Sequence, residues 1–275
     1  MQGKWTCPAS SSQIAQIADD MNKFGYGVIR DFVSPEEVQA ARNLASSAVD
    51  SSNGEYVCFK GAEQLTGTVL NELFYSSSLK RLCGRLYEHA TGAAAPEDEF
   101  YQVFRCLQGR SGQRNSNVFH YDSYVVTALL PIALPEEGRR GDLLMFPNTR
   151  RVRRSYILNV LDKAIIDNKF SHIVLKEATR RKLFQSIKIN MRPGDMYFFW
   201  GYRSIHTNEP CDPDKLRATA LFHYGDPHQN SRVRSLMRRG WSGWGFGSPH
   251  SAPAPLGRQA QACAGPGPQP EWPPR

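Results

Sequence analysis

The stretch NVFHYDSYVV, residues 117–126, sets His120 and Asp122 two apart among β-branched and aromatic residues. In an extended strand alternate side chains share a face, so an imidazole and a carboxylate would aim at one point. Two histidines and one carboxylate on one face of an octahedron suit a divalent iron and leave the opposite face open. The third donor must come from a distant strand. His206 is the candidate, placed where the aromatic run MYFFWG after the turn Pro193-Gly194-Asp195 is expected to end. Arg217 opens another alternating run with Thr219 on its face, and a guanidinium beside a hydroxyl could clamp a carboxylate bidentately. His223 shares that face and reads as a support for the site, though it is also the strongest rival to His206. Gln102 or Arg105, Asn148 and Trp200 are further candidates for a pocket lining.

These residues need a scaffold, and the chain offers one. Ile14, Ile17, Ala18, Met21 and Phe24 recur at helical spacing, and YGVIRDF then reads as a strand. Ser34, Pro35 and Glu37 form a helix-start signature ahead of VQAARNLASSAV. VLNELFYSSSLKRLCGRLYEHATG predicts one long helix or two short ones. From about residue 98 the pattern turns to strands: DEFYQVFRCLQ, VFHYDSYVVTALLPI, GDLLMFP, QSIKINM, GDMYFFWG and LRATALFHYG. A helical insert at about 155–184 interrupts them, with Ile157, Val160, Leu161, Ala164 and Ile165 as an apolar stripe expected to pack on the barrel or to wall a pocket. Residues 1–247 therefore read as a single domain, and the proline-rich stretch 248–275 as a disordered tail. The aromatics of WSGWGFG, just before it, are expected to pack on the barrel.

A chain of 275 residues can bury a full core in one large domain. It holds no apolar run long enough for a membrane span, and its first residues lack a secretory signal's apolar region. Cys7, Cys58, Cys83, Cys106, Cys211 and Cys263 are scattered without a CxxC pair, which argues against a disulfide framework or zinc site and for a reducing, cytoplasmic setting. The net charge of +8 gathers in RRVRR (150–154), RRK (180–182) and RVRSLMRR (232–239). These are read mainly as solvated faces, with an anionic substrate group as the alternative use.

Taken together, FGYGVIRDFVSPEEVQAAR, the HYD of 120–122, PGDMYFFWGYRSIH ending at His206, and Arg217 resemble the Fe(II)- and 2-oxoglutarate-dependent oxygenases, nearest in style to the phytanoyl-CoA dioxygenase branch. The resemblance covers roughly residues 11–228. It implies a mainly β fold with flanking helices, built on a double-stranded β-helix (a jelly roll, cupin-like). It implies that His120, Asp122 and His206 bind Fe(II) as the catalytic centre, and that Arg217, with Thr219, holds the distal carboxylate of 2-oxoglutarate. O2 and 2-oxoglutarate would then be consumed in oxidising a C–H bond of a small molecule. Asp122 stands where a halogenase would have Ala or Gly, so hydroxylation, desaturation or cyclisation is favoured over halogenation. RATALFHYG lacks the second downstream arginine of the nucleic-acid demethylase branch, which argues against nucleic acid as a partner. Two other readings stay open: a prolyl-hydroxylase-like enzyme acting on a peptide or protein, and a cupin-like binding module without redox chemistry.

Overall fold

The computed structural model describes residues 10–97, 100–153, 155–166, 168–181 and 185–234. WSGWGFG, the tail 248–275, Arg154, Cys7 and Cys263 lie outside the described residues.

The chain opens with α1 (Ser11–Lys23), β1 (Gly27–Ile29) and α2 (Pro35–Asp50). The capping box is present at α2, where the Ser34 hydroxyl accepts from the Glu37 amide and the Glu37 carboxylate accepts from the Ser34 amide. Next come β2 (Val57–Lys60), α3 (Val69–Phe74) and α4 (Ser77–Thr91). The helical pattern of 69–92 thus resolves as two helices, because the Ser76 hydroxyl caps a new start by accepting from the Leu79 amide. Then follow β3 (Tyr101–Leu107), α5 (Gly109–Arg114), β4 (Val126–Ala133) and β5 (Leu143–Phe146). The insert forms α6 (Tyr156–Ile166) and α7 (Lys169–Arg180), and the chain returns through β6 (Ile187–Ile189), β7 (Met196–Phe199), β8 (Ile205–Asn208) and β9 (Arg217–Tyr224). Among these, β2 and α5 have no counterpart in the sequence reading.

The strands form two antiparallel sheets, one of order β1-β7-β4-β9-β3-β2 and one of order β6-β5-β8. Register divides the large sheet into two faces. Phe104, Cys106, Ala128, Ala218, Ala220 and Phe222 point outward into a core shared with α1, α2, α3 and α4. Arg105, Thr127, Leu129, Arg217, Thr219, Leu221 and His223 occupy the opposite face, toward the small sheet. Leu129, Leu143, Met145, Ile189, Tyr197 and Phe199 fill the space between the sheets. This is the expected jelly roll, with the helices packed against its large sheet.

Two expectations are corrected here. The apolar stripe of α6 does not face the barrel: Leu161 and Ile165 are exposed at 53% and 62%, and Asn159 is the buried residue. The reason is Arg150, a buried cation whose guanidinium needs Asn159 and Asp162, so the polar edge of α6 turns inward. Cys58 is disulfide-bonded, against the reading of a wholly reduced chain, whereas Cys83, Cys106 and Cys211 are free and buried. No helix among the described residues is long and apolar enough to cross a membrane.

Candidate metal centre

His120 and Asp122 do not lie in a regular strand. His120 makes an isolated antiparallel bridge with His206, and residues 121–125 run as loop before β4 begins. Two backbone contacts do what a strand was expected to do. The His120 and His206 amides each donate to the other's carbonyl at 3.1 Å, and the Asp122 amide donates to the Gly201 carbonyl at 3.0 Å. His206 likewise sits inside β8 rather than at the end of the aromatic strand, because β7 stops at Phe199 and a turn over 200–204 intervenes.

The result is a cluster of three donors, His120, Asp122 and His206, whose ligand atoms lie within 4.8 Å of one another. The Nε2 atoms of His120 and His206 stand 3.7 and 3.5 Å from the carboxylate oxygens of Asp122. Donors bonded at about 2.1 Å and at right angles around one ion are roughly 3 Å apart. The three donors are thus gathered close enough to fit one divalent ion.

The chain also prepares the donor atoms. His120 Nδ1 donates to the Val118 carbonyl at 2.8 Å, and His206 Nδ1 donates to the Ser204 carbonyl at 3.0 Å. A carbonyl only accepts, so both protons sit on Nδ1 and both Nε2 lone pairs point at the shared space. Burial and the nearby His206 push His120 down, toward the neutral form that binds metal. Burial alone would raise Asp122, but His206 and His223 hold it well below the ordinary carboxylate range.

Behind Asp122 is a short relay. The Thr127 hydroxyl donates to Asp122 Oδ2 at 2.6 Å, and His223 Nδ1, 3.0 Å from that hydroxyl, can donate to it. His223 in turn stacks on Tyr124 and Tyr101, at 5.7 and 6.0 Å between ring centres. It is thus placed behind the donors and outside the three-donor cluster. Gly201 completes the seat, since a Cβ there would overlap both the Asp122 carboxylate and the Thr127 hydroxyl.

Arg217 lies on the same inner face, with 2% of its surface exposed. Its Nε donates to the Gly141 carbonyl at 2.6 Å and Nη1 donates to the Thr219 hydroxyl at 3.2 Å. It pairs with no carboxylate among the described residues, and burial, with Arg105 adding to it, pushes the guanidinium down to about 10. Gly141, with φ of +72°, is needed on two counts: the backbone is left-handed and a Cβ would strike the Arg217 side chain. A desolvated cation with an uncommitted Nη2 is a built receptor for an anion.

Of the further pocket candidates only Arg105 faces inward. Gln102 donates to the Leu70 carbonyl, Asn148 to the Met21 carbonyl, and the Trp200 indole to Asn22, all on the helical side. Two arginines of the basic segment, Arg150 and Arg153, are also reassigned. Arg150 is paired with Asp162 at 3.0 Å and lies over the rings of Tyr121 and Tyr202, and Arg153 reaches the same Asp162 at 2.7 Å. These arginines fasten α6 and are not free for a substrate. Thr127, Gly201 and Gly141 were missed, and only the glycines, each next to a turn, left a trace in the sequence.

The sequence matches no family model and no curated protein. Its fold is similar to that of a prolyl hydroxylase from Trichoplax adhaerens, solved in complex with a peptide fragment of the hypoxia inducible factor oxygen degradation domain. The TM-score is 0.55 at 13% identity, over 86% of this chain and 98% of that one. It is also similar to a prolyl 4-hydroxylase from Phytophthora capsici, with a TM-score of 0.52 at 14% identity, over 84% of this chain and 71% of that one. At such identities the likeness establishes the fold. It does not single out the phytanoyl-CoA dioxygenase branch.

Proposed function

We propose that the protein is an Fe(II)- and 2-oxoglutarate-dependent oxygenase that hydroxylates, or otherwise oxidises at C–H, a small-molecule substrate. The observation that carries this reading is a pairing inside one barrel: a three-donor cluster, and a buried, carboxylate-free arginine on the same inner face. The cluster fits iron by its donor set of two neutral imidazoles and one carboxylate. When bound, the iron with 2-oxoglutarate and O2 supplies an oxidant able to attack an unactivated C–H bond.

The chain's own tasks are positioning and exclusion of water. Arg217 holds the distal carboxylate of 2-oxoglutarate, and Thr219, whose oxygen already accepts from Arg217, has its hydroxyl proton left to donate. Leu129, Tyr197 and Phe199 wall the space between the sheets. The insert covers one flank. Ile166 and Leu175 pack on Phe119 and Tyr121, His172 Nε2 donates to the Phe119 carbonyl, and Lys163 donates to the Ser123 hydroxyl. This cover beside His120 favours a small substrate. The peptide in the Trichoplax neighbour keeps a prolyl-hydroxylase-like activity as the second reading.

The test is succinate release from 2-oxoglutarate with Fe(II) and O2, measured against a metabolite panel and a panel of proline-containing peptides. Stimulation by a metabolite supports the first reading, and stimulation by peptides alone transfers the assignment to the second. An iron-loaded protein that forms no succinate under any condition contradicts both.

A further inference from the structure

We propose that Arg105 is the recognition point for a carboxylate on the substrate, so that the enzyme acts on small organic acids. This inference rests on the oxygenase reading above and deepens it.

Arg105 stands on β3 directly opposite Thr219, on the inner face that also carries Arg217. Its Nε donates to the Tyr56 hydroxyl at 3.2 Å and Nη2 to the Asn115 carbonyl at 3.0 Å. Both partners are neutral. They fix the direction of the guanidinium while leaving Nη1 and one N–H of Nη2 uncommitted. Other basic residues along the small sheet are matched: Lys188 meets Asp142 and Glu209, and Arg140 lies near Asp142. Among the described residues Arg105 and Arg217 are the inner-face cations without a carboxylate.

Counting charge shows what is missing. A divalent ion held by Asp122 and two neutral imidazoles keeps one positive charge. A dianionic cosubstrate neutralises that charge and Arg217, and the positive charge of Arg105 is left over. Arg105 is half-buried, a charge left uncompensated there favours an anion, and the substrate is the component still unassigned. Tyr101, two pairs along the same strand face, stacks on Tyr124 at 5.7 Å, so this end of the inner face is aromatic.

The test uses the full chain loaded with Fe(II) and 2-oxoglutarate without oxygen, and two probes of one shape, phenylacetate and the neutral phenylacetamide. Binding is read by calorimetry, and 2-oxoglutarate saturation by the visible charge-transfer band. The wild type is expected to bind the acid at least about 10-fold more tightly than the amide. Arg105→Gln should erase that preference, Arg105→Lys should keep part of it, and both should keep the 2-oxoglutarate requirement within about threefold of wild type. Equal binding of acid and amide by the wild type overturns the proposal, as does a preference that survives in Arg105→Gln. It is overturned as well if Arg105→Gln raises the 2-oxoglutarate requirement as much as Arg217→Gln does, since Arg105 would then serve the cosubstrate. A wild type that gives no band contradicts the oxygenase reading. In that case the acid-over-amide preference, measured on the unloaded chain, still decides the Arg105 site by itself.

Discussion

Both imidazoles of the centre spend their Nδ1 protons on backbone carbonyls, so their remaining lone pairs have one shared target. Asp122 is held from behind by Thr127, which His223 supports. Ligands and supports should therefore separate in a metal titration. His120→Ala or His206→Ala removes one of three donors and should weaken Fe(II) or Co(II) binding by more than about 100-fold. Loss of a supporting contact typically costs about 10–100-fold. His223→Ala should fall in or below that lower range, and the reverse ranking would make His223 the ligand. Gly201→Ala acts on the same carboxylate from the backbone side. The added methyl overlaps Asp122 and Thr127, so metal binding should weaken about 10-fold or more and stability should drop by about 1–3 kcal/mol in urea unfolding. An Ala variant with wild-type metal affinity would show that the carboxylate has room to spare.

At the scale of elements, two carboxylates, each shared by a pair of arginines, hold the frame. Asp195, fully buried at the start of β7, accepts from Arg30 at 2.6 Å, from Arg192 at 2.9 Å and from the Asp31 amide at 3.0 Å, tying β7 to the loop after β1. Burial alone would raise its pKa, but these donors hold it below the ordinary value. A depressed folded pKa contributes stability that is complete above the unfolded value of about 3.9 and lost as pH falls through the folded one. Stability should thus decline on acidification below about pH 4, and Asp195→Asn should flatten that decline while lowering stability at neutral pH. The second pair fastens the insert. Arg150 has a side chain only 4% exposed and Arg153 one 40% exposed, though both meet Asp162. Arg150→Gln should cost about 2–5 kcal/mol and release amide exchange in α6, and Arg153→Gln, on an exposed side chain, should cost far less. Equal costs would mean that burial does not set the value of the pair. Alternation made β9 and its inner residues Arg217, Thr219 and His223 legible in the sequence, and the capping residues made α2 legible. The HYD segment was not, since period two suggested a strand where a single bridge and a loop do the positioning. The inward edge of α6 was hidden too, because a buried Arg150 reverses the usual rule that the apolar side packs. Nothing local in the sequence announces that reversal.

The whole molecule is a jelly roll whose large sheet packs its outer face on helices and carries Arg105, Arg217 and His223 on its inner face. Donors from the 120–122 segment and β8 meet at one place, and β9, with its neighbour β3, brings arginines to the same interior. A metal and an anion are thus expected together, and Arg217 is where that joint expectation is most exposed to test. The measurement is the 2-oxoglutarate dependence of the charge-transfer band of the Fe(II)-loaded protein without oxygen, compared across wild type, Arg217→Gln and Arg217→Lys. Losing one partner of a desolvated ion pair costs about 2–5 kcal/mol, so Arg217→Gln should raise the half-saturating concentration by at least roughly 30-fold with iron binding nearly unchanged. Arg217→Lys should recover part of the loss, because it restores the charge without the planar fork. A band that saturates at the same 2-oxoglutarate concentration in wild type and Arg217→Gln would contradict the assignment of the cosubstrate, and with it the reaction class.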